Sequence, residues 1–317
     1  MIPVLLGPTG SGKTAMISKL DPDVFEIVSC DSRQIYARTQ IGSAAPSLEL
    51  RKRLKHHLIL FLSPDKTFTA GEFVKLANHA IDDITGRNKV PVICGGTGFY
   101  FRALTGGLFA SAPDMQLRDH LQTLTKEEKL ILLKDLDPAA LMENGGKIHP
   151  NDDYRITRAI EVTKTTGIPF SQHWKNRLDT LQNHQESDLH NTDTGEGKRF
   201  AAFYLQPEPE LHDKNLRLRV EQMILDGMAK EAESIFLEYG DCPAMKTLGY
   251  RECLSYLKNE ISKEKLVELV YISHRQYARR QRIWFQKERD FIRISQQTEE
   301  KFLQFCKKCG QTGGSSV

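Results

Sequence analysis

Long hydrophobic runs are missing from this sequence of 317 residues. No apolar stretch approaches the roughly 20 residues that a helix needs to span a bilayer. The first residues already belong to a predicted strand, which leaves no room for a secretory signal peptide. We therefore expect a cytoplasmic protein that has no membrane partner.

Cysteine is also scarce, and its distribution argues against disulfides. The six cysteines are scattered, most of them in apolar surroundings, which is typical of reduced and buried thiols. Only Cys306 and Cys309 have the spacing of metal ligands, and no second pair follows them. We interpret this end of the chain as a frayed tail, with half of a zinc site as the alternative.

A large excess of one charge is absent as well. The net charge of +3 is too small to indicate nucleic-acid binding by itself. Basic residues gather instead at 271–293, where seven arginines and lysines outnumber two acidic residues and are interleaved with aromatic rings. The segment fits two structures equally well: an RNA-binding face with stacking rings, or a solvated helix face whose rings belong to the core.

A glycine-rich loop follows the first apolar run of the chain and precedes a predicted helix. It consists of Gly7, Pro8, Thr9, Gly10, Ser11, Gly12, Lys13 and Thr14. The sequence matches G-x-x-x-x-G-K-[ST], in which backbone N–H groups and the lysine surround a phosphate while the threonine hydroxyl reaches Mg²⁺. The helix adds the positive end of its dipole. This phosphate loop predicts binding of a di- or triphosphate, without identifying the compound.

Other predicted strands bring polar residues to the same place. A second strand at 25–30 ends at Asp31, and ligands of open parallel sheets bind beyond the carboxyl ends of strands. Asp31 should therefore lie beside the phosphate loop, where it binds Mg²⁺ through water, acts as a general base or caps a helix. A strand at 90–94 leads into a second glycine turn that directs Thr97 and Arg102 toward the same crevice. Glycine stands where a P-loop nucleotidase commonly has an acidic metal ligand.

The predicted fold class is α/β: a P-loop-type parallel sheet with helices on both faces, an inserted all-helical subdomain and a helical C-terminal region. Residues 1–113 and 195–317 form the predicted core, with a third strand at 56–62 and another at 199–205. The insert, 114–194, has predicted helices at 115–124, 126–135, 138–142 and 153–165 and a flexible connection at 179–198. C-terminal helices are predicted at 211–239, 249–257 and 263–285, followed by a short strand at 291–294 and a disordered tail at 310–317.

One helix of the insert carries two arginines on the same face. Arg155 and Arg158 are three residues apart in the helix predicted at 153–165. They either bind phosphates or pair with Asp152 and Glu161, and the second is the commoner fate of helical arginines.

Four motifs occur in order along essentially the whole chain. They are the phosphate loop, Asp31–Tyr36, Gly95–Arg102, and the pair formed by Leu248–Glu252 and Tyr277–Phe285. His149–Asp152, followed by Arg155 and Arg158, looks like a fifth. Together they resemble the tRNA dimethylallyltransferases of the bacterial type, and only the phosphate loop is shared with unrelated P-loop proteins.

The resemblance implies a reaction and a cofactor. A dimethylallyl group would pass from dimethylallyl diphosphate to the exocyclic amine of the adenosine 3′ to the anticodon, with Mg²⁺ present. A phosphate loop suits this reaction, because it stabilises the charge that develops on the departing diphosphate. The partners implied are dimethylallyl diphosphate and the anticodon stem-loop of tRNA.

The resemblance also implies roles for residues. Asp31 would be the general base, and Thr14 would contact the diphosphate or its Mg²⁺ beside the charge of Lys13. Thr97 and Gln34 would hold a flipped-out adenosine. Arg219 would contact the diphosphate, although many members have an additional arginine where this chain has Asn215. The implied tRNA-binding residues are Asp31, Ser32, Arg33, Gln34, Thr97, Arg118, Arg155, Arg158, Arg251, Arg280 and Trp284.

Other functions stay open at this stage. An adenylate isopentenyltransferase would share the fold, but the insert and the basic C-terminal helix argue against it. A P-loop metabolite kinase that binds ATP rests on the first motif alone. An RNA-binding module with a vestigial phosphate loop is the alternative that is not an enzyme. Nothing in the sequence requires more than a monomer.

Overall fold

The computed structural model describes residues 1–106, 114–173, 175, 192–193, 199–288 and 290–312. The chain divides into two compact units, one of Met1–Gly107 with His190–Val317 and one of Leu108–Leu189. The flexible connection predicted at 179–198 lies outside the described residues, except for Thr192 and Asp193. No helix in the described part of the chain is long and apolar enough to cross a membrane.

A seven-stranded sheet forms the centre of the first unit. Its strands are β1 (Ile2–Leu6), β2 (Phe25–Cys30), β3 (His56–His57), β4 (Val90–Gly95), β5 (Thr192–Asp193), β6 (Arg199–Leu205) and β7 (Ile292–Ile294). The order is β3-β2-β4-β1-β6-β5, and β7 pairs with β6. Every pair is parallel except β5 with β6. The predicted α/β class and the short closing strand are therefore confirmed.

Helices cover both faces of this sheet. The helices of the first unit are α1 (Lys13–Ile17), α2 (Leu48–Arg53), α3 (Ala70–Gly86), α4 (Gly98–Gly106), α8 (Pro209–Leu225), α9 (Met228–Tyr239), α10 (Tyr250–Leu257), α11 (Lys263–Gln286) and α12 (Glu300–Thr312). On one face, Phe73, Tyr100 and Phe285 of α3, α4 and α11 join the core. On the other face, Met16 of α1 and Phe302 of α12 do so. Burial on both sides explains why β1 is continuously apolar and β2 largely so.

The strand register brings three strand ends level. Gly95 of β4 pairs with Leu6 of β1 on one side and with Cys30 of β2 on the other. The residues that follow these strands therefore leave the sheet at the same edge, which is where ligands of open α/β sheets bind. This register delivers the phosphate loop, Asp31 and the second glycine turn to one crevice.

The helix predicted at 211–239 is two helices. Helix α8 ends at Leu225, and α9 begins at Met228 after Asp226 and Gly227. Gly227 has φ of 99°, in the left-handed region that favours glycine, so the chain changes direction there. Residues of α8–α11 then pack into a third core cluster that includes Val220 and Tyr250.

The third strand is shorter than predicted. It covers His56–His57 instead of 56–62. Leu58 and Leu60 have φ of 57° and 49°, and these left-handed conformations interrupt an extended chain.

The prediction of a disordered tail at 310–317 is wrong for its first three residues, which belong to α12. Cys306 on this helix is fully buried in the core, so the end of the chain is not frayed there. The cysteines are free thiols, and the described residues contain no group of three or more potential metal ligands.

The second unit is helical, as predicted for the insert. Its helices are α5 (Met115–Thr123), α6 (Lys126–Leu136) and α7 (Asp153–Thr166). Where a helix was predicted at 138–142, two short 3₁₀ turns occur at Pro138–Ala140 and Met142–Asn144. Leu121, Leu133 and Ile156 contribute to a core of this unit's own.

Candidate active site

The phosphate loop is stabilised by its own lysine. Lys13 Nζ donates to the carbonyl oxygens of Gly7 and Pro8, each at 2.8 Å. Gly10 and Gly12 have φ of 76° and 97°, which glycine adopts at little cost. Burial lowers the pKa of Lys13 to about 8, while nearby Asp31 raises it. A half-buried cation at the N-terminus of α1 is suited to an anion.

Glycine is required where the three strand ends meet. A Cβ on Gly95 would lie 2.0 Å from the carbonyl oxygen of Cys30, so no side chain fits at the end of β4. The N–H of Gly7 donates to the Gly95 carbonyl at 3.3 Å, which ties the phosphate loop to β4. Close packing of the backbone thus explains the absence of an acidic residue at this strand end.

Asp31 lies at the same crevice and uses one oxygen for local structure. Its Oδ1 accepts from the N–H groups of Arg33 at 2.9 Å and Gln34 at 3.4 Å. Among the described residues, no hydrogen bond is directed to Oδ2. Asp31 therefore caps its own turn and keeps an oxygen for a substrate. The alternative that it caps a helix is wrong, because the first helix after Asp31 begins at Leu48.

A cavity of about 330 Å³ connects these groups. Its wall includes the loop from Thr9 to Thr14, Asp31, Gln34, Asn215 and Arg219. Burial lowers the pKa of Arg219, and the negative charge of Asp31 opposes this. Two cations and a carboxylate thus line one cavity, with the hydroxyl-bearing Thr14 at its wall.

Thr97 links the second glycine turn to the turn after β2. Its Oγ1 accepts from Ser32 N–H at 2.9 Å, and its own N–H donates to the Cys30 carbonyl at 3.1 Å. Gln34 Nε2 donates to the carbonyls of Ser43 at 3.4 Å and Ala44 at 3.2 Å. These bonds bring Thr97 next to the turn that carries Asp31, whereas Asp31 and Lys13 both line the cavity.

Helix α11 contributes site residues that were missed from the sequence. Burial raises the pKa of the Tyr277 phenol, and the charge of nearby Asp31 raises it further. Gln281 hydrogen-bonds to Thr9 and Gly96. These residues are four apart and so share one helix face. That spacing was the available signal, but the sequence left an RNA-binding face and a core-facing helix equally open for this segment.

The burial of individual side chains distinguishes the two structures predicted for the basic segment of α11, an RNA-binding face with stacking rings and a solvated face whose rings belong to the core. Phe285 is buried in the core, and Trp284 packs against Gly98, where a Cβ would lie 2.2 Å from the indole. Arg275, Arg279 and Arg280 are exposed on the same helix. The described rings of this helix therefore belong largely to the interior, while its arginines form a basic surface.

The arginines of the second unit are mostly paired. Arg118 donates to both carboxylate oxygens of Glu161, at 2.6 and 3.0 Å, and Arg158 donates to Glu161 at 3.0 Å. Although burial raises the pKa of Glu161, these two arginines hold it below its ordinary value. Arg155 lies 3.3 Å from Asp152. The pairing alternative predicted for Arg155 and Arg158 is the one observed.

The remaining predicted arginines differ in exposure. Arg251 is exposed on α10 and forms an ion pair with Asp241 at 3.3 Å. Arg33, next to Asp31, is half-buried, as is Ser32. Arg219 is thus the predicted arginine that the structure places in the wall of the cavity.

Comparison with known proteins supplies the family. The family model described as IPP transferase matches residues 34–288. This chain belongs to the IPP transferase family.

Relatives cover nearly the whole length of this IPP transferase. The tRNA dimethylallyltransferase of Leptospira interrogans is 38% identical over 299 residues, which are 93% of this chain and 95% of the relative. That of Leptospira biflexa is 38% identical over 290 residues, covering 91% and 93%. The crystal structure of a tRNA delta(2)-isopentenylpyrophosphate transferase from Staphylococcus epidermidis matches with a TM-score of 0.63 at 28% identity, covering 98% of both chains.

Proposed function

We propose that this IPP transferase transfers a dimethylallyl group from dimethylallyl diphosphate to the exocyclic amine of the adenosine 3′ to the anticodon in tRNA, releasing diphosphate. The observation that carries the proposal is the cavity in which Lys13 and Arg219 lie with Asp31. An anion cradle with a carboxylate at its wall suits displacement of a diphosphate by an amine. The names of the full-length relatives support the same reaction.

The phosphate loop and the two cations hold the leaving group. Negative charge grows on the diphosphate as its bond to the allylic carbon breaks, and fixed cations stabilise that charge most at the transition state. Lys13, hydrogen-bonded to two loop carbonyls, is positioned before the substrate arrives. Arg219 lies in the wall of the same cavity, where the negative charge of Asp31 acts on it.

Asp31 receives the proton of the amine. The nitrogen–carbon bond forms, the carbon–oxygen bond of the diphosphate breaks, and the amine proton passes to Oδ2 of Asp31. An aromatic amine is a weak nucleophile, so removing its proton during attack lowers the barrier. Thr97 and Gln34, at the same crevice, would orient the base of the extruded adenosine.

The oxygen atoms that line the cavity fit Mg²⁺, and we include a bound Mg²⁺ in the proposal. The Thr14 hydroxyl borders the cavity, and hydroxyl and carboxylate oxygens are the ligands that Mg²⁺ accepts. When bound with the diphosphate, Mg²⁺ would supply further neutralisation of its charge.

The exposed arginines would bind the RNA backbone. Arg280 on α11, Arg251 on α10 and Arg155 on α7 are exposed and suited to phosphates. Arg118 and Arg158 would contribute while paired with Glu161, or after exchanging that partner for phosphate. Ser32, Arg33 and Trp284 would border the acceptor. We propose that the protein acts as a monomer.

A transfer assay tests the proposal. The protein is mixed with dimethylallyl diphosphate, Mg²⁺ and an unmodified tRNA that carries adenosine at the target position, and the nucleosides are analysed by mass spectrometry. A prenylated adenosine is expected. Transfer to AMP at an efficiency similar to that for tRNA would favour the adenylate enzyme, and ATP turnover without RNA would favour a kinase. No prenylated product from any of these acceptors would refute the proposal.

A further inference from the structure

The backbone of Thr9 is held at its N–H and at its carbonyl by buried side chains of two C-terminal helices. Thr9 N–H donates to Gln281 Oε1 of α11 at 2.8 Å. His212 Nε2 of α8 lies 2.8 Å from the Thr9 carbonyl, so it carries the proton of that bond. Burial lowers the pKa of His212, which favours its neutral form. Thr9 N–H is therefore used within the protein and does not face a phosphate.

The same glutamine holds the second glycine turn. Gln281 Nε2 donates to the Gly96 carbonyl at 2.8 Å, and the side chain is 6% exposed. The two partners fix the orientation of the amide, because Thr9 N–H requires an acceptor and the Gly96 carbonyl requires a donor. A Cβ on Gly96 would lie 2.4 Å from Nε2. Gln281 thus bridges the loop after β1 and the turn after β4.

These bonds continue toward the carboxylate at the cavity. Thr97 follows Gly96 directly, and its hydroxyl accepts from the N–H of Ser32, the neighbour of Asp31. A connected path of backbone and side-chain bonds therefore runs from the phosphate loop through Gln281 to Asp31. A change in its central residue alters the separation between the two ends.

We infer that Gln281 is a positioning residue of the transfer reaction: it sets the distance between the phosphate loop and the turn that carries Thr97, and so between the diphosphate and Asp31. That the bound diphosphate is dimethylallyl diphosphate rests on the proposed function. A misplacement of about 1 Å between reacting groups is enough to lower a rate substantially. Helix α11 thereby joins a basic outer surface to the alignment of the two glycine turns.

Two substitutions test this role. Gln281→Met removes both hydrogen bonds at nearly constant volume, and Gln281→Glu keeps an acceptor for Thr9 N–H while replacing the donor to Gly96. The matched control is Gln276→Met, at an exposed position of the same helix. Measurements are the Kd of inorganic pyrophosphate with Mg²⁺, KM and kcat with dimethylallyl diphosphate, Kd of tRNA, and Tm.

Both Gln281 variants should bind pyrophosphate about 10-fold more weakly and lose about 10-fold in kcat, while tRNA affinity changes less than about twofold. Gln276→Met should match the wild type. A lowered Tm with unchanged pyrophosphate affinity and kcat would overturn the inference. If Gln281→Met does not fold, the measurements on the nearly isosteric Gln281→Glu variant test the inference. Pyrophosphate binding needs no transfer, so it tests Gln281 even if the proposed reaction fails.

Discussion

Asp31 is the residue whose two oxygens have different tasks. Oδ1 accepts the N–H groups of Arg33 and Gln34, and so shapes the turn after β2. The strand register then places this turn beside the phosphate loop. The sequence offered a helix cap and catalysis as competing roles, whereas the geometry lets one carboxylate shape its own turn and keep an oxygen for chemistry. A substitution that preserves the cap can therefore isolate the chemistry.

Asp31→Asn should lower kcat by about 10²–10⁴, because the amide keeps an oxygen for the two N–H groups but cannot take the amine proton. Affinity for tRNA should stay nearly constant. Single-turnover rates and RNA binding by filter retention measure the two quantities. Asp31→Ala provides a comparison in which the cap is lost as well. If Asp31→Asn loses RNA affinity and retains its rate, the residue orients the acceptor and is not the base.

Lys13 should make anion binding depend on pH. Its pKa is lowered to about 8, so the free protein loses the charge of the lysine as pH rises through that value. A bound anion stabilises the charged lysine and therefore raises this pKa. Lys13→Arg keeps its charge throughout this range. We expect the pyrophosphate affinity of the wild type, relative to Lys13→Arg, to fall by about tenfold per pH unit well above the pKa. Calorimetric titrations between pH 7 and about 10 measure this ratio, and a constant ratio would contradict it.

Among the elements, those with a local signal were predictable and those shaped by distant contacts were not. The strand ends were predictable, because apolar runs followed by glycine or aspartate mark them. The short β3 was not, since the left-handed Leu58 and Leu60 have no signature in their side chains. Helix α11 was predicted as a helix, but the contacts that its inward face makes with the two glycine turns were not predicted. Thr9 and Gln281, which it joins, are 272 residues apart in sequence.

The glycine between α8 and α9 allows a prediction about stability. Gly227 has φ of 99°, and a Cβ there would meet nothing within 4 Å. Gly227→Ala should therefore cost only the conformational penalty, about 1–2 kcal/mol in the free energy of unfolding. At Gly249, also left-handed, a Cβ would approach Val270 and Met228 at 2.8 and 2.9 Å, so Gly249→Ala should cost more. Urea unfolding compares the variants, and equal losses would contradict this account.

At the scale of the whole molecule, the sheet of the first unit depends on a buried acid near its edge. Glu26 of β2 is 2% exposed and accepts hydrogen bonds from Arg87 and His57, with Lys55 and Lys89 each 3.7 Å away. Lys55 and His57 lie just before and within β3, and Arg87 and Lys89 lie between α3 and β4. The Arg87 hydrogen bonds, helped by His57, lower the pKa of Glu26 to about 2.

This depressed pKa predicts how stability responds to acid. Above pH 5, the charge of Glu26 should contribute about 1–2 kcal/mol to the free energy of unfolding, an amount already reduced by screening at its exposed partners. This contribution should disappear as the pH falls toward 2 and Glu26 becomes protonated. The difference in unfolding free energy between the wild type and Glu26→Gln should therefore shrink over that range. Urea unfolding at several pH values measures it, with Glu233→Gln, at an exposed position of α9, as the control. A difference that stays constant from pH 5 to 2 would show that Glu26 stabilises the sheet through packing rather than through its charge.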